Sequence, residues 1–178
     1  MFCKTYSAVL HGLEAVTVQV ETDVRNGLPQ LQMVGALASE AKEARERVRV
    51  AIENSGFRLL PKHITINLSP ADIRKEGTSF DLAIAVSILA AFGLLPEEQI
   101  KGCMFAGELS LDGKLNQVPG TLPMAGLAAK EGFQKMIVPK ENAWEAALWG
   151  VVPVYGMNSL KEVVEFLTGT LKKHRRNQ

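Results

Sequence analysis

The residues best suited to chemistry lie in one charged, glycine-containing stretch, Asp72-Ile73-Arg74-Lys75-Glu76-Gly77-Thr78-Ser79-Phe80-Asp81. This stretch leads directly into an apolar run that we expect to form a buried helix. A helix N-terminus offers free N–H groups and a positive partial charge, so Ser79 is a candidate nucleophile beside an oxyanion site. The alternative is structural, with Thr78 and Ser79 satisfying the donors of the first helical turn, as these residue types commonly do.

The chain contains no phosphate-binding loop. Neither G-x-x-x-x-G-K-[ST] nor G-x-G-x-x-G occurs. Gly120 and Gly126 bracket five residues, but Leu127 follows where the phosphate-binding lysine should stand. Metal ligands are also dispersed, because no histidine lies three or four residues from another histidine or a cysteine. We therefore expect neither a cofactor site nor a metal site in this chain.

Positive side chains gather on one face of a predicted helix and in the loop that precedes Thr78. They are suited to contact a nucleic-acid backbone or an acidic surface of a neighbouring module. The alternative is a solvated helix face, because Glu43 stands four residues before Arg47 in the favourable orientation for an ion pair. The candidate contact residues are Lys42, Arg45, Arg49, Arg74 and Lys75.

Composition limits the class of protein. The chain has 178 residues, 47% of them hydrophobic and 22% charged, which is typical of one well-packed domain. Its net charge of +1 is unlike that of a dedicated DNA-coating protein, and its two cysteines are too few for a disulfide framework. No apolar stretch approaches the roughly 18 residues of a membrane span, and the N-terminus does not resemble a signal peptide. We expect a cytoplasmic protein with no membrane contact.

The first half of the chain mixes strand and helix patterns. Alternating valines over residues 16–20 predict a strand, and the turn dipeptide Asn26-Gly27 follows it. We therefore expect that strand to pair antiparallel with a second one over residues 31–33. Further predicted elements are a strand from Cys3 to Leu10 followed by a turn at Gly12, a helix from about Ser39 to Ser55, and a strand at Ile64–Leu68 that ends before Pro70. A buried helix is predicted from near Thr78 to about Gly93, and Thr78 and Asp81 form a capping box at its start.

The second half alternates strands and helices more regularly, and this order indicates an α/β or α+β domain without internal repeats. Only residues 170–178, with their basic cluster, are expected to be unstructured. The predicted elements are a hairpin around Asp112-Gly113, a helix from Thr121 to Glu131, a strand at Met136–Val138, a helix from Ala143 to Trp149, a strand from Val151 to Tyr155, and a final helix capped by Ser159 and Glu162.

Three segments resemble the proteolytic domain of Lon proteases. The hairpin Glu108–Leu115 and the strand end Val138-Pro139-Lys140-Glu141-Asn142 follow each other as the similar motifs do in Lon. The segment Lys75–Ser79 resembles the part of Lon that carries the catalytic serine. The resemblance implies that Ser79 stands at the position of a nucleophile.

An ordered series of motifs runs along residues 1–169. It comprises Lys4-Thr5-Tyr6-Ser7, Gly12-Leu13, Gly27-Leu28-Pro29, Val34-Gly35, Glu43–Val48, Ile64–Asp72, Lys75-Glu76-Gly77 and Phe80-Asp81-Leu82. This series is similar to the N-terminal domain of the magnesium-chelatase-like AAA+ ATPases, the ComM-type competence proteins. The resemblance implies a ribosomal-protein-S5-domain-2-like fold, shared with the Lon proteolytic domain. Residues 170–178 are then a basic tail or a truncated linker to an AAA+ module.

The same comparison argues against peptidase chemistry. Lon-type hydrolysis pairs its serine with a lysine that acts as general base. Alignment backward from Pro139-Lys140-Glu141-Asn142 places Met124 at that lysine's position, and a thioether cannot take a proton from a hydroxyl near neutral pH. Ser79 is then a vestige in a non-catalytic domain. The alternative is a Lon-like serine peptidase in which Ser79 uses an unexpected base, Lys75 or Lys130.

The resemblance also implies a role for the whole protein. The whole protein would be an ATP-driven motor that promotes branch migration of DNA during natural transformation. ATP and magnesium would be bound by the AAA+ module rather than by this chain. Partners would be that module and the other subunits of a ring, while DNA contact by this domain alone would be weak. A free-standing RNA-binding domain is a further alternative that rests on fold analogy.

Overall fold

Strands and helices alternate over residues 1–170 and 176–177, the residues that a computed structural model describes. The α+β class predicted from the sequence is confirmed. The first half comprises β1 (Phe2–His11), β2 (Glu14–Arg25), β3 (Gln30–Val34), α1 (Ser39–Lys42), α2 (Ala44–Asn54), β4 (His63–Ser69) and α3 (Asp81–Ala91). The second half comprises α4 (Glu97–Ile100), β5 (Cys103–Phe105), β6 (Glu108–Leu109), β7 (Leu115–Asn116), α5 (Thr121–Lys130), β8 (Lys135–Pro139), α6 (Ala143–Ala146), β9 (Val154–Met157), α7 (Leu160–Thr168) and β10 (Arg176–Asn177).

The first sheet has the strand order β1-β2-β4-β3. The predicted turn at Gly12 joins β1 to β2 as an antiparallel hairpin, but the hairpin predicted at Asn26-Gly27 is wrong. β4 lies between β2 and β3, and β3 pairs with it in parallel, with Leu31 opposite Ile64. A period-2 pattern identifies a strand and its buried face but does not determine its neighbour in the sheet.

The second sheet has the order β10-β9-β8-β5, with β5, β8 and β9 parallel. β9 begins at Val154, three residues later than predicted. The expectation of an unstructured tail is wrong for residues 176–177, which pair antiparallel with Tyr155 and Val154 of β9. The rest of the basic cluster, in residues 171–175, lies outside the described residues, as does residue 178.

Helix α3 is the centre of the core. All eleven of its residues are buried, as the sequence predicted, and it packs against β1, β2 and α2. Its polar groups are satisfied internally, since the Ser87 hydroxyl donates to Thr22 at 2.7 Å and the Thr5 hydroxyl donates to the Ala83 carbonyl at 2.8 Å. The helix predicted from Ser39 to Ser55 is interrupted at Glu43.

The start of α3 differs from the prediction. The helix begins at Asp81, and no side chain caps it, so the capping box of Thr78 and Asp81 is wrong. The Thr78 hydroxyl instead donates to the Glu108 carboxylate at 2.6 Å. The Asp81 carboxylate accepts two hydrogen bonds from the Arg47 guanidinium, at 2.8 and 2.9 Å, and a third from the Leu109 N–H at 2.9 Å.

This buried ion pair corrects the solvated-face interpretation at Arg47. Arg47 extends inward from α2, and its side chain is only 20% exposed, while that of Asp81 is fully buried. Burial raises the pKa of the Asp81 carboxyl, and the bonds from Arg47 and from Leu109 oppose that shift. A carboxylate removed from water is costly without such partners, so the pair is a requirement of this core.

We predict that Asp81→Ala destabilises the domain by roughly 3 kcal/mol, because it leaves the Arg47 guanidinium and the Leu109 N–H without their acceptor. Arg49→Ala is the matched control, since Arg49 forms exposed ion pairs on the same helix and its loss should cost less than about 1 kcal/mol. Chemical denaturation measures both. Equal losses for the two variants would contradict the structural role of the buried pair.

Candidate functional site

A cleft of about 320 Å³ lies where the loop before α3 meets the end of β1 and the start of α5. It brings together Ser79 and Met124, which the sequence comparison paired as nucleophile and substituted base. Apolar side chains and two carboxylates complete its walls. Its lining residues are Val9, Leu10, Glu40, Glu76, Gly77, Thr78, Ser79, Pro119 and Met124.

The Ser79 hydroxyl is held by the backbone of β1. It donates to the Ala8 carbonyl at 3.2 Å, and the residue is 7% exposed. The Ser79 carbonyl accepts from the Ser7 hydroxyl at 3.4 Å and from the Gly107 N–H at 3.0 Å. These contacts show that Ser79 does not cap the first turn of α3, so the structural alternative proposed for Ser79 is wrong in its detail.

The two lysines considered as unexpected bases do not line this cleft. The Lys75 ammonium is a donor to the Pro70 carbonyl, and burial lowers the pKa of Lys75. Lys130 is exposed at the far end of α5. Met124 is 1% exposed, and its thioether supplies no basic nitrogen. The described cleft therefore contains a hydroxyl without a lysine amine beside it.

Gly120 determines how α5 enters the cleft. Its φ is +84°, in the left-handed region that favours glycine, and an added Cβ would lie 2.6 Å from the Leu10 side chain. The Met124 N–H donates to the Gly120 carbonyl at 3.1 Å, within the first turn of α5. The close packing of this turn on Leu10 is what places Met124 in the cleft wall.

Two carboxylates stand at the mouth of the cleft. Glu40 accepts from the Gly77 N–H at 3.2 Å, which ties α1 to the loop before α3. The pKa of Glu40 is lowered by hydrogen bonds from its own backbone N–H and from Gly77. Glu76 lies 3.5 Å from the Arg74 guanidinium in an exposed ion pair. The mouth therefore carries two carboxylates and one guanidinium, a net negative charge.

The structure separates the predicted basic residues into one that is buried, two that form ion pairs and two that are exposed without an ion pair. Lys75 is fully buried, so it is not available to DNA or to a partner, and its inclusion in the set was wrong. Arg49 is paired with Glu46 at 2.7 Å and with Glu53 at 3.4 Å. Arg74 is paired with Glu76. Among the described residues, the members that are exposed and form no ion pair are Lys42 and Arg45.

The sequence analysis did not identify Lys62 as part of a basic surface, and it did not identify the Arg47–Asp81 ion pair. Lys62 lines the same depression as Arg45 and Arg49 although it lies on a different element, and no local pattern connects it to them. The Arg47–Asp81 pair did have a signal, because a lone acidic residue at the start of an otherwise apolar helix requires a buried partner.

The described ranges, 1–170 and 176–177, contain neither a metal-ligand cluster nor a membrane-spanning helix. Within them, no three side chains of histidine, cysteine, aspartate or glutamate are grouped as ligands for a metal ion. No helix there has the length and hydrophobicity needed to cross a membrane.

Comparisons with known proteins support the resemblance. The family model described as subunit ChlI of Mg-chelatase matches residues 20–142, more than half of the chain. Competence protein ComM of Haemophilus influenzae is 42% identical over 167 residues, covering 94% of this chain and 33% of ComM. Protein YifB of Escherichia coli is 43% identical over 158 residues, covering 89% of this chain and 31% of YifB.

A weaker similarity extends to a protease. Lon protease 2 of Bacillus subtilis is 31% identical over 104 residues, covering 58% of this chain and 18% of Lon protease 2. The chain spans about a third of the length of ComM and of YifB. These matches confirm the ComM-type resemblance, with Lon more distant. The chain therefore belongs to the Mg-chelatase subunit ChlI family.

Proposed function

We propose that this chain is the non-catalytic N-terminal domain of a ComM-type AAA+ ATPase that drives DNA branch migration during natural transformation. The observation that carries the non-catalytic part is the cleft in which Met124 lines the wall beside Ser79. The DNA role is supported by the similarity to competence protein ComM along 94% of the chain.

The motor function belongs to a part of the protein that this chain does not include. The chain has no phosphate-binding loop, and it spans a third of ComM, so ATP and magnesium would bind to an AAA+ module elsewhere in the protein. The partners of this domain are that module and the neighbouring subunits of a ring. Its own contribution is to assembly or to weak substrate contact.

The charges of the domain favour weak DNA binding. Lys42 and Arg45 are exposed without an ion pair among the described residues, whereas Arg49 and Arg74 are already neutralised by carboxylates. Two free cations release few counterions, so the affinity of one domain is low and its salt dependence is shallow. A ring that presents several copies raises the effective concentration of such a contact.

We place the protein in the cytoplasm, where DNA is available to the motor. Cys3 and Cys103 are both free and buried. Burial raises the pKa of each thiol to about 11, which keeps the thiols protonated and unreactive. Two free cysteines without a disulfide are typical of proteins in a reducing compartment.

The first prediction of the proposed function concerns peptidase chemistry. A fluorophosphonate probe should label the wild-type chain no more than Ser79→Ala, because no base in the cleft activates the hydroxyl. Met124→Lys should introduce labelling that Ser79→Ala removes, with Leu127→Lys as a control outside the cleft. Labelling of the wild type that depends on Ser79 would support the serine-peptidase alternative instead.

The second prediction concerns nucleotide. The 178-residue chain should show no saturable binding of ATP at micromolar concentration in isothermal titration calorimetry, because it has no loop that cradles phosphates. A protein that also contains the downstream module should bind and hydrolyse ATP. Saturable micromolar binding by the chain alone would contradict the proposed division of labour.

The third prediction concerns DNA. The isolated chain should bind duplex DNA with a dissociation constant no better than about 10–100 μM at physiological salt. In the protein with its ATPase module, reversal of charge at Lys42 and Arg45 should reduce DNA affinity or ring assembly, while Arg49→Glu should have less effect because Arg49 is already paired.

DNA binding and oligomeric state should both be measured, together with branch migration of a four-way junction. Lost DNA affinity with intact assembly would place DNA on the surface that α1 and α2 form around Lys42 and Arg45. Lost assembly would make that surface a subunit contact. Absence of branch migration in the unmodified protein with its ATPase module would contradict the proposed function itself.

A further inference from the structure

A second depression, of about 490 Å³, lies between the edge strand β3 and helix α2. We refer to it as the β3–α2 groove. Its floor contains the apolar side chains of Leu31, Leu59 and Ile64, and its rim carries the cationic side chains of Arg45, Arg49 and Lys62 together with two glutamates. The groove lies apart from the Ser79 cleft and shares none of its lining residues.

The outer edge of β3 is free for hydrogen bonding. The Gln30 N–H donates to the Lys62 carbonyl at 3.2 Å, so the backbone groups of Gln30 and Gln32 face β4 in this parallel pair. The N–H and C=O groups of Leu31 and Met33 therefore point away from β4. No other strand within the described residues pairs with β3 on that side.

The composition of β3 does not protect this edge. Natural edge strands usually carry charged residues, a proline or a bulge that prevents pairing with another strand. The sequence of β3 is Gln30-Leu31-Gln32-Met33-Val34, which contains no charged residue and no proline. Its register with β4 is unbroken over all five residues, so it has no bulge against β4. A strand edge beside a helix-lined groove is the arrangement that binds extended peptides by strand addition.

The charge of the rim selects among possible peptides. Arg49 is neutralised by Glu46 and Glu53, and Lys62 donates to the side-chain amide of Asn26. Arg45 forms no ion pair among the described residues, although the neighbouring Glu46 offsets part of its charge, and the rim keeps a net positive charge with three cations against two carboxylates. An apolar floor and a free strand edge are not features that a DNA backbone uses, which favours a peptide over nucleic acid.

We propose that the β3–α2 groove binds an extended peptide segment of a partner protein as an added strand of the first sheet. The peptide places an apolar side chain on Leu31, Leu59 and Ile64, and an acidic side chain opposite Arg45. Backbone hydrogen bonds to Leu31 and Met33 supply affinity, while the apolar floor and Arg45 supply specificity.

The test uses the 178-residue chain and a fluorescein-labelled nonapeptide in which aspartates alternate with valines and isoleucines. Fluorescence anisotropy should show saturable binding. The same peptide with lysines in place of aspartates should bind about tenfold more weakly, as expected for loss of a charge pair at an interface. Arg45→Glu should reverse that preference, and Lys130→Glu, an exposed change on α5, should leave it unchanged.

Strand addition has a signature that needs no change in the protein. N-methylation of one alternate set of peptide residues removes the N–H groups that face β3 and should abolish binding. N-methylation of the other set, whose N–H groups face solvent, should be tolerated. Equal effects of the two sets would overturn the proposed strand pairing.

Two further outcomes would overturn the proposal. One is absence of saturable peptide binding. The other is displacement of the peptide from the 178-residue chain by duplex DNA at concentrations below about 10 μM, which would make the groove a nucleic-acid site. Neither outcome bears on ATP hydrolysis or branch migration, so the test of the groove is separate from the test of the proposed function.

Discussion

The fully buried carboxylate of Asp81 is the constraint on which the rest of the structure depends. It stands at the first residue of a helix that is buried on every side, so it has to be neutralised from within the protein. Arg47 of α2 and the Leu109 N–H of β6 do this together. Three segments distant in sequence are thereby fixed around one point.

The same constraint positions both surface features. The loop that carries Ser79 ends at Asp81, so anchoring this carboxylate also determines where the Ser79 hydroxyl meets β1. On α2, successive residues are separated by 100°, and inward orientation of Arg47 therefore turns Arg45 and Arg49 outward.

Local patterns predicted much of this fold because they report burial along single elements. The apolar run of α3, the alternation in β4 and the Ser159 cap of α7, whose side chain accepts from the Glu162 N–H at 3.1 Å, were all confirmed. The position of β3 beside β4 was not predictable from Asn26-Gly27, since the turn residues carry no information on which strand intervenes.

Long-range contacts explain the remaining errors. Lys75 resembles a surface lysine in sequence, yet its ammonium finds a carbonyl within the fold and its side chain is enclosed. Lys62 joins Arg45 only through the packing of separate elements. For the cleft, the position of Met124 followed from the family comparison, whereas the acceptor of the Ser79 hydroxyl, the Ala8 carbonyl, required the structure.

The complete burial of α3 has an evolutionary consequence. A helix enclosed by both halves of the chain leaves no position at which the domain divides into two pieces that each cover their own apolar surface. A fragment of the domain cut beside α3 would therefore expose apolar surface to water. The similarity to ComM and YifB accordingly extends over most of the chain and is not confined to one half of it.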